Sequence, residues 1–156
     1  MLSIVTGVGP RVGSSFVMRQ AKVAGLPVVG DKYLYGALPV SGNPGGYYDL
    51  YPDEVWKLHT GVAKVWPVSL EFIKKPIDRL VIIERTDREA QKSSIVKQAK
   101  RERGSTTEVD SDRIIAFSEE RLDLFLACER APENILRVTT ESLNDEISNI
   151  LTFLGE

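Results

Sequence analysis

The sequence predicts an α/β fold in one domain: a mostly parallel sheet with helices on both faces. Short apolar runs at 2–6, 61–66, 79–83 and 134–138 alternate with stretches of helical periodicity, which is the pattern of strands joined by crossover helices. The first run breaks into a glycine-rich turn that leads straight into a helix start. The chain has 156 residues, 42% of them hydrophobic, which suits one core in a single domain spanning 1–156.

Leu2-Ser3-Ile4-Val5-Thr6 is the first predicted strand, and Gly7-Val8-Gly9-Pro10-Arg11-Val12-Gly13-Ser14-Ser15 is the turn. A helix follows over 14–24 and stops at Gly25, with Pro27-Val28-Val29 short and extended after it. Residues 32–51 carry five tyrosines among Gly36, Pro39, Gly42, Pro44, Gly45 and Gly46, so they read as a long irregular loop of the kind that closes over ligands. Pro52 opens a short helix over 53–59, the strand 61–66 follows, and 69–75 is another short helix.

Arg79-Leu80-Val81-Ile82-Ile83 is a buried strand that runs into a basic helix over 87–103. After a break at 104–107, a long helix spans 109–130 with Ile114, Ile115, Phe117, Leu122, Phe125 and Leu126 on its apolar side, and Pro132 ends it. The last strand is 134–138. Ser142-Leu143-Asn144-Asp145 has the spacing of a capping box, opening a final helix with Leu143, Ile147, Ile150, Leu151 and Leu154 on one face.

Bulk composition excludes several functions. Twenty basic and 22 acidic residues give a net charge of -2, so no general attraction to nucleic acid is expected. Lys92, Lys97, Lys100, Arg101 and Arg103 crowd one helix, either as a solvated face or as a lure for a polyanion. Cys128 is the single cysteine, which excludes an intramolecular disulfide and a cysteine-rich metal site. No signal peptide is recognisable, and the apolar stretch at 2–5 is far too short for a membrane span, so the expectation is a soluble cytoplasmic protein.

A glycine-rich turn between strand and helix aims backbone N–H groups and hydroxyls at one spot beside the positive end of the helix dipole, a ready site for an oxyanion. The nucleoside triphosphate version needs G-x-x-x-x-G-K-[ST], but Val8 stands at its first glycine and Ser14 at its lysine. Pro10-Arg11-Val12-Gly13-Ser14-Ser15 instead resembles the phosphosulfate loop of the P-loop sulfotransferases: Pro, a basic residue, any residue, Gly, then two Ser or Thr. In that family the loop cradles the 5′-phosphosulfate of 3′-phosphoadenosine 5′-phosphosulfate (PAPS). The resemblance implies a sulfotransferase-like three-layer sandwich in which Arg11, Gly13, Ser14 and Ser15 bind the cofactor.

Arg85 and Ser93, eight residues apart after the strand 79–83, are similar to the family's element for the 3′-phosphate. An arginine at the strand end can fork onto a phosphate. The closing strand and Phe153-Leu154-Gly155 also resemble the ends of small sulfotransferases, so the resemblance covers most of the chain.

Sulfuryl transfer needs a deprotonated acceptor oxygen and cations that stabilise charge on the oxygen leaving with the nucleotide. Arg11 and the loop amides suit the second task. Many family members place Lys-Thr-His on the strand before the phosphosulfate with the histidine as base, and the counterpart here is Lys64-Val65-Trp66. Lys64 keeps the cation while Trp66 cannot accept a proton. Other branches use a carboxylate, and Gly46-Tyr47-Tyr48-Asp49 resembles their segment, which makes Asp49 the leading base candidate, with Asp31 and the lone His59 behind it.

The resemblance thus implies sulfuryl transfer from PAPS to a hydroxyl or amine acceptor, with 3′,5′-adenosine bisphosphate as product. The acceptor and the oligomeric state are not specified. Two alternatives stay open: a nucleotide-binding protein without catalysis, and a divergent P-loop kinase or hydrolase. The latter is disfavoured by the missing lysine and by the lack of a Mg²⁺-binding acid at a strand end.

Overall fold

A computed structural model describes residues 1–30, 48, 50, 52–104 and 108–156. Its centre is a four-stranded, all-parallel sheet made of β1 (Leu2–Gly7), β2 (Gly61–Lys64), β3 (Arg79–Glu84) and β4 (Asn134–Thr139), in the order β2-β1-β3-β4. All six residues of β1 and all four of β2 are buried, as expected of parallel strands covered on both faces. The register runs Leu2 opposite Gly61, Ile4 opposite Leu80, and Val81 opposite Leu136.

Alternation along the strands divides the core in two. Leu2, Ile4, Ala63, Leu80 and Ile82 face one side, where Val55 of α2 (Pro52–Trp56), Leu70 of a 3-10 turn (Pro67–Phe72), and Leu122 and Phe125 of a later helix cover them. Val5, Val62, Val81, Ile83 and Val138 face the other, under Val17 and Met18 of α1 (Ser14–Val23) and Leu143, Ile150 and Leu154 of the C-terminal helix. Each fully buried Leu or Ile contributes about 1.5–3 kcal/mol by leaving water, so both layers are needed.

α3 (Arg88–Arg103) buries only the narrow strip Gln91, Ile95 and Ala99, and its N-cap Asp87 accepts from the Ala90 N–H at 3.0 Å. α4 (Ser111–Leu126) is capped by Asp110, which accepts from the Arg113 N–H at 3.1 Å. A short 3-10 turn (Thr140–Ser142) then leads into α5 (Leu143–Gly155).

Residues 27–29, expected to be short and extended, do contribute one parallel bridge, Val28 to Val62. Several boundaries differ from the expectation. The strand expected at 61–66 ends at Lys64, two residues before Trp66, whose successor Pro67 opens the 3-10 turn. The helix expected over 69–75 is that turn, the one over 53–59 stops at Trp56, and the one over 109–130 runs from Ser111 to Leu126. The capping box does not form: Ser142 Oγ donates to the Thr139 carbonyl at 3.1 Å, and no side chain caps α5. Hydroxyls next to a strand end have that competing acceptor.

Among the described residues no helix is long and apolar enough to cross a membrane.

Candidate functional site

The strand order reverses at β1, with β2 on one side and β3 on the other. In open parallel sheets that reversal leaves a crevice outside the carboxyl ends, where the connecting loops part and a ligand can enter. The loop after β1 and the residue after β3 both lie there.

The turn from Gly7 to Gly13 has an unusual backbone. Gly9 (φ 81°), Arg11 (φ 65°) and Gly13 (φ 99°) are all left-handed, alternating with Pro10 and Val12, and Arg11 is the one non-glycine residue with positive φ among the described residues. That conformation costs a side-chain-bearing residue about 1–2 kcal/mol, so the surroundings must impose it. Glycine is required at 9 and 13: a Cβ at Gly9 would lie 2.9 Å from Gln91 Nε2, and one at Gly13 would lie 2.5 Å from Leu143 Cδ1.

Nearly every carbonyl of the turn is taken by the scaffold. Gln91 Nε2 donates to Val8 O (2.9 Å) and Pro10 O (3.0 Å), Arg85 Nη1 to Arg11 O (3.2 Å), and Thr140 Oγ1 to Val12 O (2.7 Å). A trans peptide points its N–H opposite to its C=O. Fixing the carbonyls of 8, 10, 11 and 12 therefore turns the N–H groups of Gly9, Arg11, Val12 and Gly13 away from these partners, and none of the four has a hydrogen-bond partner among the described residues. The first turn of α1 follows directly, and its N–H groups add to the same positive field.

Cations surround this turn. Arg11 Nε donates to Ser94 Oγ at 2.9 Å, and Arg11 makes no ion pair among the described residues. Partial burial and then the charges of Arg101 and Arg85 push its pKa down, with Glu102 opposing. Arg11 is thus held beside like charges, an arrangement that an arriving anion would relieve. Arg85 is half-buried and pairs with no carboxylate among the described residues. On the β2 side, Lys64 is buried and its Nζ lies 3.3 Å from Ser15 Oγ and 4.7 Å from the centre of the Trp66 ring.

The structure therefore brings Arg11, Gly13, Ser14, Ser15, Lys64 and Arg85 to one end of the sheet. Ser93 is exposed on α3 and its hydroxyl has no hydrogen-bond partner among the described residues; the next residue, Ser94, is the one against Arg11. His59 is exposed just before β2, whose first residue Gly61 pairs with Leu2, so it lies at the amino end of the sheet. Six strand residues separate the two ends by about 20 Å, which removes His59 as a base for chemistry at the loop. Asp49 and Asp31 lie outside the described residues, as does most of the tyrosine-rich segment.

Gln91, Ser94, Thr140 and Glu141 escaped the sequence reading. The Glu141 carboxylate accepts from the Thr86 and Asp87 N–H groups at 2.8 and 3.0 Å, so the β4–α5 turn holds both loops at once. The one signal in the sequence was Gln91 at the head of the strip Gln91-Ile95-Ala99, a polar residue where the four-residue spacing calls for an apolar one.

No three His, Cys, Asp or Glu side chains cluster as a metal site among the described residues. Compared with known proteins, the chain matches no protein-family model, no curated protein and no solved structure, so any ligand must be argued from the site itself.

Proposed function

We propose that the chain is a small PAPS-dependent sulfotransferase of the P-loop sulfotransferase type, with its cofactor lying across the carboxyl ends of β1 and β3. The observation that carries this reading is the turn at 9–13, with four backbone N–H groups turned outward and an arginine without a carboxylate partner among the described residues. In this reading the loop amides, Ser14, Ser15 and Arg11 hold the 5′-phosphosulfate, and Arg85, with Ser93 at the rim of α3, holds the 3′-phosphate. The acceptor O–H gives its proton to the base, its oxygen bonds to sulfur, and the bond from sulfur to the 5′-phosphate oxygen breaks. Arg11 and Lys64 stabilise the charge passing to that oxygen, which leaves on 3′,5′-adenosine bisphosphate.

Calorimetry tests the assignment. 3′,5′-Adenosine bisphosphate should bind, 5′-AMP should bind much more weakly, and Arg85→Ala should remove about 1.5–3 kcal/mol of the former's binding without unfolding the chain. Equal affinity for the two nucleotides would sink the role of Arg85. With Asp49 as base, Asp49→Asn should leave nucleotide affinity unchanged and lower transfer of ³⁵S from PAPS by about 10²- to 10⁴-fold.

Trp66 favours a second reading, binding without catalysis. It is half-buried against Lys64, at the position where the resemblance expects a histidine base. Nucleotide binding without label transfer to any sugar, phenol, lipid or tyrosine peptide would select that reading.

A further inference from the structure

Gln91 sits at the centre of the turn's architecture. It is completely buried, and its amide group is fully used: Nε2 donates to the carbonyls of Val8 and Pro10, while Oε1 accepts from Arg88 Nη1 at 3.0 Å. Arg88 is held in turn by Glu84 and Glu119, both at 2.6 Å. The chain of contacts runs from the end of β3 and from α4 through α3 into the loop after β1.

We infer that Gln91 is the positioning residue of the anion site, the side chain that stands in for the missing P-loop lysine by holding the turn open to an anion and not by touching one. The argument is one of donors and geometry. Two carbonyls two residues apart repel an incoming anion when they face it, and no backbone group within the turn satisfies them. A primary amide is the neutral side chain with two N–H donors on one nitrogen, so it can tie both at once. With those carbonyls tied, the N–H groups of Gly9 and Arg11 point the other way, and with Arg85 holding the next carbonyl, that of Arg11, the backbone of Arg11 is kept in the left-handed conformation. Arg88 orients the amide by occupying its oxygen, and its charge is more than balanced by its own two carboxylate partners. A Cβ at position 9 would lie 2.9 Å from the same nitrogen, so the amide sets shape as well as polarity.

This inference rests on the anion-site reading above, and the test separates the two. Gln91→Met keeps the volume and removes both donors; Gln91→Glu keeps the length and the acceptor for Arg88 but turns charge toward two carbonyls. A residue with positive φ gives an intense intraresidue HN–Hα Overhauser effect, which reports the backbone of Arg11 with no ligand present. The expected result is a strong effect in the wild type that is lost in both variants, together with a roughly ten- to a hundredfold fall in affinity for inorganic pyrophosphate and for 3′,5′-adenosine bisphosphate alike, the loss of about one charge-assisted contact. Lower melting temperatures with the Arg11 signal retained would overturn the inference, because Gln91 would then be a packing residue. Loss of the signal with unchanged pyrophosphate affinity would overturn it too. If the wild type binds pyrophosphate but discriminates no nucleotide, the PAPS reading fails while the role of Gln91 stands; if it binds neither, the anion site itself fails, and with it the inference.

Discussion

Arg11 is both a cation and a residue in a backbone conformation that suits glycine, and two substitutions separate these properties. Arg11→Ala and Arg11→Gly each remove the guanidinium, its hydrogen bond to Ser94 and its repulsion from Arg85 and Arg101, so those effects cancel when the variants are compared. What differs is the backbone at φ 65°. Alanine keeps the left-handed penalty of about 1–2 kcal/mol. Glycine loses that penalty and gives back about 0.5–1 kcal/mol through the greater freedom of its unfolded chain. The glycine variant should therefore be the more stable by about 0.5–1 kcal/mol, or roughly 1–4 °C in melting temperature for a domain of this size. Both variants should lose affinity for pyrophosphate equally, by about ten- to a hundredfold. Urea titration and calorimetry read the two quantities separately. An alanine variant as stable as the glycine one would show that Arg11 is not held left-handed, and the outward-facing N–H groups would fall with that result.

Gly13→Ala should destabilise the chain by about 1–3 kcal/mol in urea titration, because φ 99° strains alanine and the new Cβ meets Leu143; in a Leu143→Ala background, itself less stable, the same change should cost less by only the part due to overlap. Asp110→Ala, which removes the cap of α4, should cost about 1 kcal/mol and leave pyrophosphate affinity unchanged in calorimetry. Hydrogen bonds from the Asp87 and Thr86 N–H groups hold the Glu141 carboxyl below its ordinary value of 4.5. A depressed folded-state pKa stabilises above the unfolded value, so the wild type's advantage over Glu141→Gln should be full at pH 7 and be lost as pH falls below that ordinary value and through the folded pKa. Melting curves at pH 7 and pH 3 check the sign: an advantage that grew on acidification would refute it.

The elements legible in the sequence were those with a strong local signal. Buried parallel strands are continuous apolar runs, so β1 and β3 stand out, and the glycine spacing of the turn marks a strand-to-helix connection. Ends were harder to place. Ser142 had two acceptable hydrogen-bond partners, and the Thr139 carbonyl beside it won over the helix N-terminus. Within the site, the placement of Arg11 and Arg85 at strand ends was readable because the strands before them were, whereas the contact of Ser94 with Arg11 depends on the rotation of α3, which spacing leaves undetermined. Gln91 and Thr140 are ordinary polar residues 83 and 128 positions away from the carbonyls they hold, and no local pattern encodes so distant a pairing.

That separation in sequence has a consequence for synthesis. β1 is made before the other three strands and lies inside the finished sheet, yet its neighbours β2 and β3 arrive about 55 and 75 residues later, and the hydroxyl that ties Val12 belongs to Thr140. A ribosome adding about 5–20 residues per second leaves Leu2, Ile4 and Val5 as an unpaired apolar strand for several seconds or more. During that interval two nascent chains on one messenger present the same sticky segment to each other, so the yield of folded protein should depend on translation speed and on chaperones that shield the emerging β1 segment. A circular permutant opened between β4 and α5 would delay the turn's partners differently, and its folding rate would reveal how far the wait for the last strand governs assembly.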